Sequence, residues 1–197
     1  MEVYYIGGSP CSGKSTVAGA LAECYGLTYF KADNHLEEFT ARGAAEGMPV
    51  CQRILRMTAD ETWMRPPAVQ CQEELDYYRE IAPFVMEKLH RLQASRIIAE
   101  GAAFLPSLMT DAAHYIAIIP RREFRISRYS QRPWVPHVLR DCTDQEAAFD
   151  NWMERDALFA ESILKQCAKS GFTCLVTDGS LSPAVRSEQV AAHFHLL

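Results

Sequence analysis

The segment from residue 8 to residue 15 constrains this chain most, because it reads G-S-P-C-S-G-K-S and matches the phosphate-binding pattern G-x-x-x-x-G-K-[ST]. A β-branched and aromatic run at 3–6 precedes it, and a helix-forming run at 16–25 follows it and stops before Gly26. A strand, a glycine loop and a helix are the context in which this pattern holds a phosphate chain. The sequence therefore predicts a nucleoside triphosphate site.

The residue types of this glycine loop (residues 8–15) indicate how it would hold the phosphates. Gly8 and Gly13 let the backbone turn tightly, so that successive N–H groups point at a polyphosphate beside the positive end of the helix. Lys14 supplies a charge for the β- and γ-phosphates, and the Ser15 hydroxyl is suited to Mg²⁺. The predicted cofactor-binding residues of this region are Gly8, Ser9, Pro10, Cys11, Ser12, Gly13, Lys14, Ser15 and Thr16.

Composition indicates an ordinary globular protein. The chain has 197 residues, of which 48% are hydrophobic and 23% charged, and we expect one domain over 1–197. The net charge of −5 argues against a general nucleic-acid binder. No apolar run approaches the roughly 20 residues that cross a bilayer, and the N-terminus lacks a signal-peptide layout. The seven cysteines lack metal-type spacing, so we expect reduced thiols in a cytoplasmic protein.

Five short apolar segments alternate with helical stretches, a pattern that predicts an α/β fold with a parallel sheet covered on both faces. The predicted strands lie at 3–6, 27–30, 96–100, 115–119 and 173–177. The region 36–95 is predicted to be mainly helical, with a kink or break at Pro83. A capping box at 143–146 predicts a helix to about residue 170, and Ser182 with Pro183 predicts the start of the last helix.

Acidic residues follow two of these strands, at the sheet edge where ligands gather in parallel sheets. Asp33 follows the second strand and is suited to accept a proton from a substrate hydroxyl. It could instead orient the substrate, contact Mg²⁺ through water, or serve only as a helix N-cap. Glu100 closes the third strand and either acts on Mg²⁺ through a water or caps the next loop. The predicted metal site comprises Ser15, Asp33 and Glu100.

The segment 121–140 concentrates positive charge on an acidic chain, since it holds six arginines and one acid, Glu123. Such a concentration predicts that an anion binds there. The arginines are Arg121, Arg122, Arg125, Arg128, Arg132 and Arg140. Arg128 and Arg132 are four residues apart and would share one helical face. Arg155 is a further candidate, or a member of an intrahelical ion pair.

The chain resembles the P-loop kinases of small molecules and nucleotides, in particular the adenylate, gluconate and shikimate kinase group. The likeness rests on the segment 3–16, Asp33, Pro120 followed by two arginines, and the loop 177–180. The stretch 63–106 also resembles an uncharacterised bacterial set of kinases of this class. The resemblance implies a three-layer P-loop NTPase fold with a five-stranded parallel sheet. It further implies an acceptor-binding helical insert at about 36–95 and a mobile lid at about 121–156.

The resemblance also assigns roles to individual residues. It implies that Arg128 stacks on adenine and that Arg132 reaches the transferred phosphate. Asp178 and Gly179 would belong to the loop on the nucleotide side. Two positions depart from the group: Leu36 stands where nucleoside monophosphate kinases carry an arginine, and Lys31 stands where shikimate kinases carry a further aspartate.

These observations predict an ATP- and Mg²⁺-dependent phosphotransferase that acts on the hydroxyl of a small-molecule acceptor. The expected catalytic residues are Lys14, Asp33, Arg128 and Arg132. Two alternatives stay open: a regulatory nucleotide-binding switch without a small-molecule acceptor, and a nucleoside monophosphate kinase. No membrane partner is expected, nucleic acid is disfavoured, and the sequence identifies neither the acceptor nor the oligomeric state.

Overall fold

One five-stranded parallel sheet organises residues 1–196, the part of the chain that the computed structural model describes. The strand order is β2-β3-β1-β4-β5, so the strand that leads into the glycine loop is central. The strands are β1 (Glu2–Gly8), β2 (Thr28–Lys31), β3 (Arg96–Glu100), β4 (Tyr115–Pro120) and β5 (Thr173–Thr177). The predicted α/β class and all five predicted strands are confirmed.

Helices cover both faces of the sheet, as predicted. The helices are α1 (Lys14–Tyr25), α2 (Leu36–Ala45), α3 (Pro49–Ile54), α4 (Ala59–Trp63), α5 (Pro67–His90), α6 (Arg122–Ser130), α7 (Val135–Leu139), α8 (Gln145–Ser170) and α9 (Pro183–His193). Helices α1 and α9 pack on one face, while α5 and α8 pack on the other. The segment 36–95 thus contains α2 to α4 and the long helix α5, which belongs to the main core.

The strands bury side chains on both faces, which explains why they read as continuous apolar runs. On β4, Ile116 and Ile118 join the core beneath α1 and α9, whereas Tyr115, Ala117 and Ile119 join the core beneath α5 and α8. All five of these residues are at most 5% exposed. This alternation follows the two-residue period of a strand and fixes the sheet between its two helical layers.

The N-terminus of α8 differs from the predicted capping box. Asp144 is the N-cap, and its Oδ1 accepts a hydrogen bond from the Ala147 N–H at 3.0 Å. Thr143 instead donates its backbone N–H to Asp60 Oδ1 at 2.8 Å. The capping-box prediction is therefore wrong by one residue, because the Thr143 backbone N–H donates to a carboxylate that is distant in sequence. The predicted cap of α9 is confirmed, since Ser182 Oγ accepts from the Val185 N–H at 3.3 Å.

Helix α5 runs without interruption through Pro83, so a break at that position is wrong. The proline removes one backbone donor. Ile81, Phe84 and Val85 on either side are buried in the main core. This packing retains the helix where the local sequence favours its end.

None of the helices within residues 1–196 combines the length and the apolar character that a membrane span requires. The cysteines in the same part of the chain are all free thiols.

Candidate functional site

The glycine loop leaves the carboxyl end of the central strand and wraps around a lysine. Gly8 lies so close to β4 that a Cβ on it would approach the Ile118 carbonyl oxygen to 2.0 Å, which only glycine avoids. Lys14 is 6% exposed, and its Nζ donates to the Ser9 carbonyl oxygen at 2.7 Å and to Ser12 Oγ at 3.4 Å. Cys11, in the middle of the loop, adopts a left-handed backbone with φ of 59°.

Strand register brings Glu100 next to this loop. In the sheet, Glu100 pairs with Ile6 of β1 on one side and with Lys31 of β2 on the other. Its side chain is fully buried, and its Oε1 accepts from Ser15 Oγ at 2.8 Å and from the Tyr29 hydroxyl at 2.9 Å. Burial, followed by the charge of Glu100, raises the pKa of Tyr29, so the phenol stays protonated as a donor.

The side chains at this point fit a magnesium ion. Glu100 Oε2 is buried and has no hydrogen-bond donor, although its partner oxygen has two. Together with the Ser15 hydroxyl it offers the hard oxygen ligands that Mg²⁺ takes in proteins. Residues 1–196 contain no cluster of three or more His, Cys, Asp or Glu side chains placed to hold a metal.

Asp33 lies beside this group, in a single 3-10 turn (Ala32–His35) after β2. Neither that turn nor α2 has a side-chain cap, so the interpretation of Asp33 as only a helix N-cap is wrong. Gly101 opposes it closely, because a Cβ there would lie 3.2 Å from Asp33 Oδ1 and 2.8 Å from the Ala32 Cβ. Desolvation raises the pKa of Asp33 above its ordinary value, while the charge of Lys14 opposes the rise.

Lys14 therefore interacts electrostatically with two carboxylates. Burial lowers the pKa of its ammonium group, and the charges of Glu100 and Asp33 act against that decrease. The cation, the Ser15 hydroxyl and the two acids occupy one continuous patch at the carboxyl edge of β1, β2 and β3. The structure thus brings together Lys14, Ser15, Asp33 and Glu100, which the sequence places far apart.

The raised pKa of Asp33 predicts that Asp33→Asn stabilises the fold at neutral pH. The folded state disfavours the ionised form of this carboxyl, so its contribution to stability is full below the unfolded pKa and declines as pH rises through the folded pKa. Asparagine has no charge to desolvate. We expect thermal unfolding to give a higher Tm for the variant than for wild type at pH 7.5, and the gap to close near pH 4.

Asp150→Asn provides the matched control, because Asp150 is exposed on α8. Its Tm difference from wild type should not vary in this way with pH. A lower Tm for Asp33→Asn at pH 7.5 would mean that the carboxylate stabilises the fold.

A cavity of about 580 Å³ opens on the β4 and β5 side of the glycine loop. We call it the loop cavity, and its walls include Cys11, Ser12, Gly13, Thr16, Phe124, Arg128, Arg132, Thr177, Gly179, Ser180 and Arg186. The Arg128 guanidinium lies 4.9 Å from the centre of the Phe124 ring, and that of Arg132 lies 5.2 Å from the Tyr129 ring. Both arginines therefore present stacking cations beside the loop.

Helix α6 ends at Ser130, so the prediction that Arg128 and Arg132 share one helical face is wrong. The Arg132 N–H closes a turn on the Tyr129 carbonyl oxygen at 3.0 Å. The cavity nevertheless receives both side chains, because the turn brings Arg132 back towards the loop.

Three of the other arginines in 121–140 are occupied elsewhere. Arg125 is 1% exposed and donates to the Met153 and Asp156 carbonyl oxygens at 3.2 and 3.4 Å. Arg122 pairs with Glu154 at 2.8 Å, and Arg140 lies 3.3 Å from Asp141. By contrast, no carboxylate of residues 1–196 lies within ion-pair distance of Arg128 or Arg132.

The loop after β5 contributes Gly179 to the wall of the loop cavity, and not the neighbouring Asp178. Gly179 lies in the wall of the loop cavity, whereas Asp178 is not among its lining residues. Asp178 Oδ1 accepts from the Ser180 N–H at 3.0 Å and from Ser180 Oγ at 2.6 Å, which closes the turn. These hydrogen bonds lower the pKa of Asp178.

Arg155 is the centre of a buried ionic group that the sequence analysis identified only in part. Its Nε and Nη2 donate to Asp156 Oδ1 at 2.9 and 2.6 Å, and its Nε lies 3.3 Å from Glu74 Oε2. Asp156 is fully buried. Neither Glu74 nor Asp156 is among the site residues predicted from the sequence. The available signal was an acid within the apolar helical stripe Trp152, Asp156, Phe159 and Ile163.

Comparison with solved structures shows the same fold in TT1252 from Thermus thermophilus. That protein has 19% sequence identity and a TM-score of 0.55, over 100% of this chain and 98% of that chain. An uncharacterized protein from Eubacterium ventriosum aligns over 100% of both chains at 13% identity and a TM-score of 0.49. Shikimate kinase from Aquifex aeolicus aligns over 99% of this chain and 96% of that chain at 17% identity and a TM-score of 0.45. No protein-family model and no curated protein matches the chain.

Proposed function

We propose that this protein is an ATP-dependent phosphotransferase that moves the γ-phosphoryl group of ATP to a hydroxyl of a small molecule. One observation carries the proposal: the glycine loop has a large cavity on one side and a carboxylate on the other. The loop cavity, with Arg128 and Arg132, lies towards β4 and β5. Asp33 and Glu100 lie at the ends of β2 and β3. A switch that only hydrolyses a nucleotide does not need a second region, beside the carboxylate, in which an acceptor molecule binds.

In the proposed reaction, the acceptor hydroxyl oxygen attacks the γ-phosphorus while Asp33 accepts the hydroxyl proton. An O–P bond to the acceptor forms, the bond to the β–γ bridging oxygen breaks, and its electron pair leaves on ADP. Lys14 and the loop N–H groups stabilise the charge that develops on the phosphate oxygens. Arg128 and Arg132 close the opposite side and exclude water.

Ser15 and Glu100 would hold Mg²⁺, which when bound would neutralise charge on the phosphate oxygens. The desolvated position of Asp33 favours its role as a base, because a raised pKa brings a carboxylate nearer to the working pH.

The proposal is tested by calorimetric titration with Mg·ATP, followed by a screen of ADP release over sugars, sugar acids, nucleosides, nucleoside monophosphates and amino alcohols. A phosphotransferase binds Mg·ATP and releases ADP faster in the presence of one acceptor, with an equal amount of phosphorylated product. A slow ATPase rate that none of these molecules changes would contradict the proposal and favour a regulatory switch.

Gly179→Ala is expected to weaken Mg·ATP binding by about tenfold, or about 1.4 kcal/mol. Gly179 has φ of +85°, and a Cβ there would lie 2.5 Å from Phe124 Cε2. Phe124 would have to move, and with it the Arg128 side chain that stacks on it. Gly47→Ala separates this clash from backbone strain, because Gly47 has φ of +88° and open space around it. Equal Mg·ATP affinities for the two variants would rule out the clash as the cause.

A further inference from the structure

We propose that the acceptor binds in a second pocket between α4, α5 and α8, and that it is an uncharged or amine-bearing polyol rather than a carboxylate or phosphate. This inference rests on the proposed function and names the substrate class of the same site. The pocket has a volume of about 200 Å³, room for roughly seven waters at about 30 Å³ each. We call it the Glu74 pocket, and its polar lining includes Arg65, Gln70, Glu73, Glu74, Tyr77 and Arg155.

The Glu74 pocket holds buried polar atoms that lack a hydrogen-bond partner within the protein. Gln70 is 4% exposed, and its Nε2 donates to the Trp63 and Arg65 carbonyl oxygens at 3.1 and 2.7 Å, which fixes the amide. Its Oε1 and Glu74 Oε2 are buried without hydrogen-bond donors, and Arg65 Nε is buried without an acceptor. Buried polar atoms without partners are costly. Gln70 Oε1 is a free acceptor, Arg65 Nε is a free donor, and Glu74 Oε2, 3.3 Å from Arg155 Nε, still lacks a hydrogen-bond donor, a set that fits a ligand rich in O–H or N–H groups.

The charges of the pocket are already balanced, which disfavours an anionic ligand. Arg65 contacts Glu73, whose Oε1 also lies 2.8 Å from Arg53 Nη1. Arg155 is held by Asp156 and by Glu74. Each arginine in the pocket wall already pairs with a carboxylate, and Arg65 keeps only its Nε–H without an acceptor. A ligand anion would instead face Glu74 and would repel its ionised form.

The Glu74 pocket lies within electrostatic reach of the proposed base. Burial raises the pKa of both Glu74 and Tyr77, and the charge of Asp33 adds to each rise. The Tyr77 hydroxyl also lies 2.8 Å from Thr40 Oγ1 and 3.4 Å from the Leu36 carbonyl oxygen, three residues beyond Asp33. These contacts connect Tyr77, in the pocket wall, to the segment that carries Asp33.

Ligand series that share a skeleton and differ in charge test the inference. We would use glycerol, serinol, glycerate and glycerol 3-phosphate, then glucose, glucosamine, gluconate and glucose 6-phosphate. Binding to the protein saturated with Mg²⁺ and a non-hydrolysable ATP analogue is followed by saturation-transfer NMR and calorimetry. The neutral or amine member of at least one skeleton is expected to bind at least tenfold more tightly than the anionic members.

Glu74→Gln should lower the affinity for that best ligand by about tenfold and leave the affinity for the ATP analogue unchanged. Glu87→Gln, a half-buried change on the same helix and outside the pocket lining, should alter neither. If Glu74→Gln does not fold, Tyr78→Phe replaces it, because the Tyr78 hydroxyl donates to Glu74 Oε1 at 3.4 Å. Tighter binding of an anionic member, absence of binding by every member, or equal binding by Glu74→Gln would overturn the inference. Failure of the ATP analogue to bind would instead refute the proposed function itself.

Discussion

Replacing Lys14 with alanine is expected to lower kcat/KM for phosphoryl transfer by about 10²- to 10³-fold, the usual cost of losing one group that stabilises transition-state charge. Mg·ATP affinity should fall as well, because the Lys14 ammonium is buried inside the loop that would surround the phosphates. Steady-state kinetics with the identified acceptor and calorimetry with Mg·ATP measure the two effects. Lys165→Ala, on the exposed side of α8, is the matched control and should change neither.

The same measurements on Asp33→Asn distinguish the role of Asp33 as a base from the role of Lys14 in binding phosphate. Loss of a general base costs about 10²- to 10⁴-fold in rate, whereas Mg·ATP affinity should stay near that of wild type. Lys14→Ala lowers both quantities, and Asp33→Asn lowers only the rate. Equal loss of Mg·ATP binding in the two variants would remove Asp33 from its proposed role as base.

Arg155→Met is expected to destabilise the fold by about 3–5 kcal/mol, because removing one partner of a buried ion pair leaves the other charge uncompensated. Here two acids lose their cation, and Asp156 is fully buried. At about 2–4 °C per kcal/mol for a chain of this size, Tm should fall by roughly 10 °C. Urea unfolding and thermal scans measure the change.

Arg122→Met is the control for this prediction, since the Arg122–Glu154 pair is exposed and such pairs contribute at most about 1 kcal/mol. Adding Asp156→Asn to Arg155→Met removes the uncompensated charge and should restore part of the stability, as a double-mutant cycle would show. A stability loss that Asp156→Asn does not reduce would indicate that Arg155 acts through packing on Trp63, 5.0 Å away, rather than through charge.

The fold was largely predictable because its signals are local. The strands β3 and β5 begin and end at the predicted residues, and Gly26 ends α1 in the left-handed conformation that favours glycine. Buried strands read as apolar runs, and helix ends carry their own caps. The errors at Thr143 and at Pro83 occur where a distant contact overrides the local preference.

The candidate site was predictable only in pieces. Asp33 and Glu100 could be predicted because each stands at the end of a predicted strand. The distance between the two acids in space depends on the strand order. The order β2-β3-β1 brings both acids beside Lys14. A count of arginines in 121–140 cannot distinguish Arg125, which is buried against backbone carbonyls, from Arg128, which faces the loop cavity.

The sequence by itself determined that this chain has a glycine loop between a strand and a helix, and a parallel sheet to carry it. Both depend on residues that are neighbours along the chain. Only the tertiary structure decided which charged side chains lack a partner of opposite charge. It neutralises Arg155 with Glu74 and Asp156, pairs Ser15 with Glu100, and leaves Arg128 and Arg132 in the cavity wall. Charged groups interact through space, and burial strengthens that interaction. The partner of each charged side chain therefore depends on packing between helices that are distant in sequence.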